Sequence, residues 1–393
     1  MRVLIVETSM GSGDWHYANM IASALVDVGV DASVVSLSPV EPFPSPRPIP
    51  VYTIGPKPPG DRWPRRLSLR RAAHHVAKVW RLLRLIRVLR PNIVHFQKPL
   101  GTLDFLYMRL VKSLGPRLVY TIHTPLPPML GRAALGRLRE VDLILTHARR
   151  TEAQLVAAGL PEGRIKVIYH GNYIHLCRPR DLSPEEARRR LGLPPHSRAL
   201  LFFGSIEWRK GLDCLIESFA LLTKDCSDLY LVIAGYPNED FGPYETQLRR
   251  EGIRERVVTD LRWLPFSEMQ TYFHAASVVV LPYRRISQSG VLQLAYAYER
   301  PLVVTDVGGI AETILEDETG LVAGVDDPAS IARAVRELLS DPERAAEMGR
   351  RARRYAETKY SWAQVAQRVA ELYKQVDGGS PGPEVLLRTG SVE

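Results

Sequence analysis

The chain has 393 residues, 45% of them hydrophobic and 24% charged, with a formal net charge of +9. That length is too great for one hydrophobic core and suits two domains of roughly 150 to 200 residues, and the composition excludes a disordered or fibrous chain. The three cysteines, Cys177, Cys214 and Cys226, show neither CxxC nor Cys/His ligand spacing, which excludes a disulfide framework and a zinc site; no stretch approaches the ~18 apolar residues of a membrane span, and the positive charge favours anionic partners.

The opening MRVLIVETSM carries an apolar run too short for a signal sequence, so a cytoplasmic location is expected. RVLIV, the turn GSG, the helical pattern HYANMIASALVDVG and the run DASVVSL together form a βαβ unit. A dinucleotide site would need GxGxxG and an acidic end to the second strand. Here the third glycine position is His16, and the second strand runs into Ser36, Leu37 and Ser38, which disfavours NAD and an oxidoreductase. The turn at Gly11 and Gly13 still exposes backbone N–H groups at a helix start, which suits a phosphate or a sugar hydroxyl.

Residues 65–90 are the densest run of positive charge. At helical spacing Val79, Leu82, Leu83, Leu85, Ile86 and Leu89 fall on one side, and Arg81, Arg84 and Arg87, with Trp80 and Val88, fall on the other. Two readings stand: a helix packed on the first sheet with a charged outer face, or a contact with an anionic membrane surface at the inner face of the plasma membrane. Nucleic acid is not expected, because no nucleic-acid module is visible.

PNIVHFQ, RLVYTIHT, VDLILTH and RIKVIYHGN supply further buried strands, which implies a parallel sheet covered on both faces. A polar, proline-bearing segment from about Asn172 to Ser197 reads as the hinge, and at RALLFFGSIEWRKGLDCLIESFALL the strand, glycine turn and helix begin again. The expected architecture is therefore α/β, two Rossmann-like domains facing across a cleft: 1–173, 174–358, a terminal helix 359–376 that crosses back to the first domain, and a flexible tail 377–393. In FFGSIEWRKG, Gly204 permits close backbone approach, and Arg209 and Lys210 precede a helix start. In SQSGV, the amides of Ser289, Gly290 and Val291 with the side chains of Ser287, Gln288 and Ser289 form an anion nest. The closing SWAQVAQRVAELYKQV is a serine-capped helix.

FFGSIEWRKGLDCLIESF, then SQSGVLQLAYAYERPLVVTDVGGIAETI and TGLVA, resemble the C-terminal half of the retaining GT-B glycosyltransferases of family 4, and GSGDWHYANMIASAL, RPNIVHFQ and VYTIHTPLP resemble their N-terminal half more loosely. The resemblance implies a nucleotide-diphosphate sugar donor of GDP-mannose or UDP-glucose type, whose diphosphate meets Gly11, Gly13, Gly204, Ser205, Arg209, Lys210 and the nest of Gln288 to Val291. It implies a glycan or lipid-linked acceptor near His16 and His123, with His123 beside the transferred sugar and Lys210 on the leaving group. No cofactor and no metal are expected, since no DxD-like carboxylate pair stands at a strand end.

The chain also departs from that family. Ser205 replaces the usual arginine, Ile286 and Leu294 replace the two usual glutamates, and Glu299 replaces a glycine. A QSGV-type variant accounts for this, with Gln288 making a hydroxyl contact; the alternative is a catalytically inactive GT-B binding or scaffold protein.

Overall fold

The structure is a computed structural model that describes residues 1–7, 13–36, 45–55, 69–97, 104–123, 135–136, 138–177, 181–315 and 318–378. The first domain contains β1 (Arg2–Glu7), α1 (Gly13–Asp27), β2 (Asp31–Ser36), β3 (Val51–Thr53), α2 (Leu69–Leu89), β4 (Ile93–Phe96), α3 (Asp104–Lys112), β5 (Arg117–Ile122), β6 (Leu143–Thr146), α4 (Arg149–Ala157) and β7 (Ile165–Val167). The second contains α5 (Pro184–Arg190), β8 (Arg198–Phe203), α6 (Leu212–Leu222), β9 (Leu229–Ala234), α7 (Gly242–Arg250), β10 (Val257–Asp260), α8 (Phe266–Ala275), β11 (Val278–Leu281), α9 (Gly290–Ala297), β12 (Leu302–Thr305), α10 (Gly308–Ala311), β13 (Leu321–Ala323), α11 (Pro328–Ser340) and α12 (Pro342–Lys359); α13 (Trp362–Val376) follows.

Each sheet is wholly parallel. The first runs β3-β2-β1-β4-β5-β6-β7 and the second β10-β9-β8-β11-β12-β13. The continuous apolar runs follow from burial on both faces. In β1, Val3 and Ile5 enter the core beneath α1, while Leu4 and Val6 enter the core on the opposite face, and all four are fully buried. Strand order reverses between β1 and β4 in one sheet and between β8 and β11 in the other. Those switch points open crevices at the carboxyl edges, and the two edges face each other.

The last helix belongs to the first domain by packing. Trp362, Val365, Ala366, Val369 and Tyr373 of α13 share one core with Trp15, Tyr17, Met20 and Ile21 of α1, and Ser361 caps the helix by accepting from the Gln364 amide. The chain's two passages between domains lie side by side. The Asn172 amide donates to the Tyr360 carbonyl at 2.8 Å, and the Trp362 indole N–H donates to the Asn172 carbonyl at 2.6 Å.

On α2, Leu82 and Ile86 are buried while Val76, Trp80 and Val88 are exposed, and the Arg84 guanidinium lies 5.7 Å from the Trp80 ring centre. No helix among the described residues is long and apolar enough to cross a membrane.

Candidate active site

The residues at the carboxyl edge of the second sheet converge on Gly204. This residue follows β8 with φ +104°, a backbone that side chains rarely adopt, and a Cβ there would stand 3.3 Å from Cγ2 of Val291 and 3.8 Å from Nζ of Lys210. Loop glycine, lysine and the first turn of α9 thus share one spot. Lys210 is buried in a short 3-10 turn; its ammonium donates to the Tyr283 hydroxyl at 2.8 Å and lies 4.1 Å from that ring's centre. No carboxylate lies within salt-bridge distance of it among the described residues.

Arg209 is placed differently. Its guanidinium donates to Glu207 at 2.6 Å, and the Ser205 hydroxyl donates to the same carboxylate oxygen at 2.7 Å. Burial pushes the Glu207 carboxyl up, but the bonds from Arg209 and Ser205 outweigh it and hold the group below its ordinary value.

At the nest, Ser289 is extended and its side chain caps nothing, while its amide donates to Oε1 of Gln288 at 2.8 Å. Nε2 of Gln288 donates to the Thr313 hydroxyl at 2.9 Å. The Gln288 amide is therefore engaged inside the protein at both ends. The first-turn donors of α9 that remain toward the cleft are those of the partly exposed Gly290 and Val291. Ile286 and Leu294 are buried among apolar neighbours.

The first domain meets this site with histidines. His123, just past β5, places Nε2 2.8 Å from Oε1 of Gln97 and Nδ1 3.1 Å from Nε2 of His147. The Asp14 carboxylate, in the first turn of α1, lies 3.9 Å from His123 Nδ1. The carbonyl of His123 accepts a short hydrogen bond from the Ser287 hydroxyl, which ties the histidine to the segment leading into the nest. His16 is partly buried, 6.4 Å from the Phe266 ring across the cleft, and enclosure pulls its imidazole down to about 4. Gly13 opens α1 and is exposed, whereas Gly11 lies outside the described residues.

A second bridge sits beside the first, since the Gly309 amide donates to the Ser287 carbonyl at 2.8 Å. Glu312 accepts from the amides of Arg149 and Arg150 at 2.9 and 2.8 Å, so a carboxylate of one domain caps α4 of the other. Arg150 also pairs with Asp306 at 2.8 Å. Gly309 permits this approach, because a Cβ there would stand 2.6 Å from Cβ of Ala148.

Gly204, Lys210, Gly290 and Val291 therefore come together, and Ser287 links them to His123. Sequence reasoning missed Tyr283, Glu207, Gln97, His147 and Glu312, and it read Ser287 as a nest donor, whereas its hydroxyl is bonded to the His123 carbonyl. The two histidines of LTH and YHGN stood at strand ends and were the available signal. Among the described residues no group of three or more His, Cys, Asp or Glu side chains is arranged to hold a metal ion.

Two doubly wound domains with facing carboxyl edges, and a glycine, lysine and helix start at one switch point, define the GT-B class of glycosyltransferase fold. Residues 12–172 match the family described as Glycosyltransferase Family 4, and residues 197–341 match the family described as Glycosyl transferases group 1. The chain belongs to the family 4 glycosyltransferases. It is 33% identical over 229 residues to a D-inositol 3-phosphate glycosyltransferase of Corynebacterium efficiens, covering 56% of this chain and 54% of that protein. It is 30% identical over 285 residues to the Thermobispora bispora protein of the same name, covering 66% and 65%. The chain thus spans about half to two thirds of the length of these curated relatives. Among solved structures, sucrose-phosphate synthase from Thermosynechococcus elongatus superposes with a TM-score of 0.77 at 18% identity, over 96% of this chain and 99% of that one. Anabaena HepE in complex with UDP-glucose superposes with a TM-score of 0.76 at 18% identity, over 95% and 100%. At that identity the likeness is one of fold.

Proposed function

We propose that this protein is a retaining glycosyltransferase that moves a hexose from a nucleotide-diphosphate sugar, of UDP-glucose or GDP-mannose type, to a glycan or lipid-linked acceptor without a metal ion. The observation that carries this reading is the meeting of Gly204, the Lys210 ammonium and the first turn of α9 at one spot, with Ser287 binding the His123 carbonyl beside it. Bond breaking at the donor sugar leaves negative charge on the diphosphate. Lys210, the amides of Gly290 and Val291 and the positive end of α9 are donors set before that charge develops. On the retaining course the leaving phosphate takes the acceptor's proton on the same face, so few carboxylates are needed.

The test is a thermal-shift panel of UDP, GDP, ADP and dTDP, since a nucleotide that binds only the folded state must raise its stability. Turnover of the matching sugar nucleotide follows, with a chelator present and with inositol phosphate among the acceptors. Loss of turnover on chelation removes the metal-free course.

A second reading has its own observation: Ile286 and Leu294 are apolar and buried where the resemblance calls for carboxylates. A protein that binds nucleotide but turns over no donor is a binding or scaffold member. The exposed Trp80 and arginine face of α2 supports contact with an anionic membrane surface. Flotation with anionic vesicles but not with neutral ones is expected, and equal behaviour with both removes that part of the proposal.

A further inference from the structure

Four imidazoles, those of His95, His123, His147 and His170, stand at the cleft edge of the first domain, and the transfer proposed above uses only His123. The rings of His123, His147 and His170 surround Tyr17, with centroids 4.9, 5.1 and 5.2 Å from it. Three buried imidazoles beyond the one that meets the sugar call for a physical role, because burying a polar ring costs stability unless its nitrogens are bonded.

A carbonyl only accepts, so His147 Nδ1, 2.7 Å from the Ile168 carbonyl, carries a proton. Burial, and then the nearby His123 and His170, hold the His147 imidazole far below its usual value, so the ring is neutral and Nε2 keeps its lone pair. His123 Nδ1 lies 3.1 Å from that lone pair, so the proton between the two rings belongs to His123. The chain of donors runs one way, from His123 through His147 to the main chain.

We propose that His147 is a positioning residue that pins the proton of neutral His123 on Nδ1 and so makes Nε2, on the Gln97 side, the nitrogen that titrates. This inference rests on the glycosyl-transfer reading for its consequence in turnover, but not for its geometry. Gln97 suits either state: its amide oxygen faces Nε2 when that nitrogen is protonated, and the amide turned over would donate to it when it is not. Among the described residues, the groups facing His123 are Asp14 and Tyr17 from α1, His95 and Gln97 from β4 and its end, His147 past β6 and His170 past β7. Of these, Asp14 favours the imidazolium, while burial keeps His95, His147 and His170 neutral and thus gives no repulsion.

The test uses the full chain. Long-range nitrogen–proton NMR of the ring should show neutral His123 as the Nδ1–H tautomer in the wild type and a mixture in His147→Leu. His147→Gln keeps a donor for Ile168 and an acceptor for His123, so it should hold the wild-type tautomer. In turnover, His147→Leu should lower kcat about 10- to 100-fold, by analogy with the loss on removing the partner that orients a metal-bound imidazole, with KM for the sugar nucleotide unchanged. His147→Gln should restore most of the rate, and the acid limb of the pH profile should move only in the leucine variant. An Nε2–H tautomer in the wild type, or leucine and glutamine variants equal in rate and pH profile, overturns the proposal. If the leucine variant does not fold, the wild-type and glutamine spectra decide. Because the spectra need no turnover, a protein that transfers no sugar but shows the Nδ1–H tautomer overturns the proposed function and leaves this assignment standing.

Discussion

Lys210 meets a phenol oxygen and the face of the same ring, whereas Arg209, one residue earlier, meets the Glu207 carboxylate. A guanidinium whose charge is already matched adds little field at the diphosphate, while a buried ammonium with no carboxylate at salt-bridge distance among the described residues adds more. Lys210→Ala is therefore expected to lower turnover about 10²- to 10³-fold, and Arg209→Ala far less, as read from initial rates at saturating donor. Equal losses would show that Glu207 releases Arg209 when donor binds. Gly204, Lys210 and the start of α9 were legible in the sequence because each is a local signal: a glycine after a strand, or a cation or small polar turn before a helix. The engagement of Arg209 by Glu207 and of Gln288 by Thr313 was not, because both depend on how a turn or a distant helix is placed in space. Glu299 illustrates the middle case. It stands where the family prefers glycine, and its φ of 56° supplies the reason, since the left-handed region costs a side chain about 1 kcal/mol.

At the level of elements, apolar runs separated by glycine turns predicted most of the strands of both units and their alternation with helices, and the parallel sheets follow from that alternation; the order of strands within each sheet was not predicted. Nor did the pattern predict how one domain finishes the other. Ala148, the residue before α4, offers no side-chain cap, and the cap comes instead from Glu312 beside α10. A carboxylate at a helix start is favoured both by the free amides and by the helix dipole. Glu312→Ala should cost about 1 kcal/mol, the usual worth of a cap, and should speed hydrogen exchange at the amides of Arg149 and Arg150. Unchanged protection there would mean that the Glu312 carboxylate is not what shields those amides.

Across the whole molecule, the buried histidines set the response to acid. Burial takes His95 down to about 3 and His170 to about 4, and His147 goes well below its usual value. Unfolded, each would titrate near 6.5, so below that pH the unfolded chain binds protons that the folded one refuses. Stability is therefore full above about pH 6.5 and falls as pH drops toward 4, by up to about 1.4 kcal/mol per pH unit for each histidine. Thermal melting between pH 7 and pH 4.5 should show this loss, and it should shrink in His95→Gln; a melting temperature flat with pH would contradict the burial. The return of α13 to the first core has a consequence for synthesis. A ribosome releases the first domain's strands long before Trp362 and Tyr373, yet those side chains complete the layer over α1. A fragment of residues 1–173 should accordingly stay poorly folded by circular dichroism and recover on addition of a peptide of residues 359–378. During translation the nascent first domain waits with an open apolar flank until the last helix emerges, so the two halves mature together rather than in the order they are made.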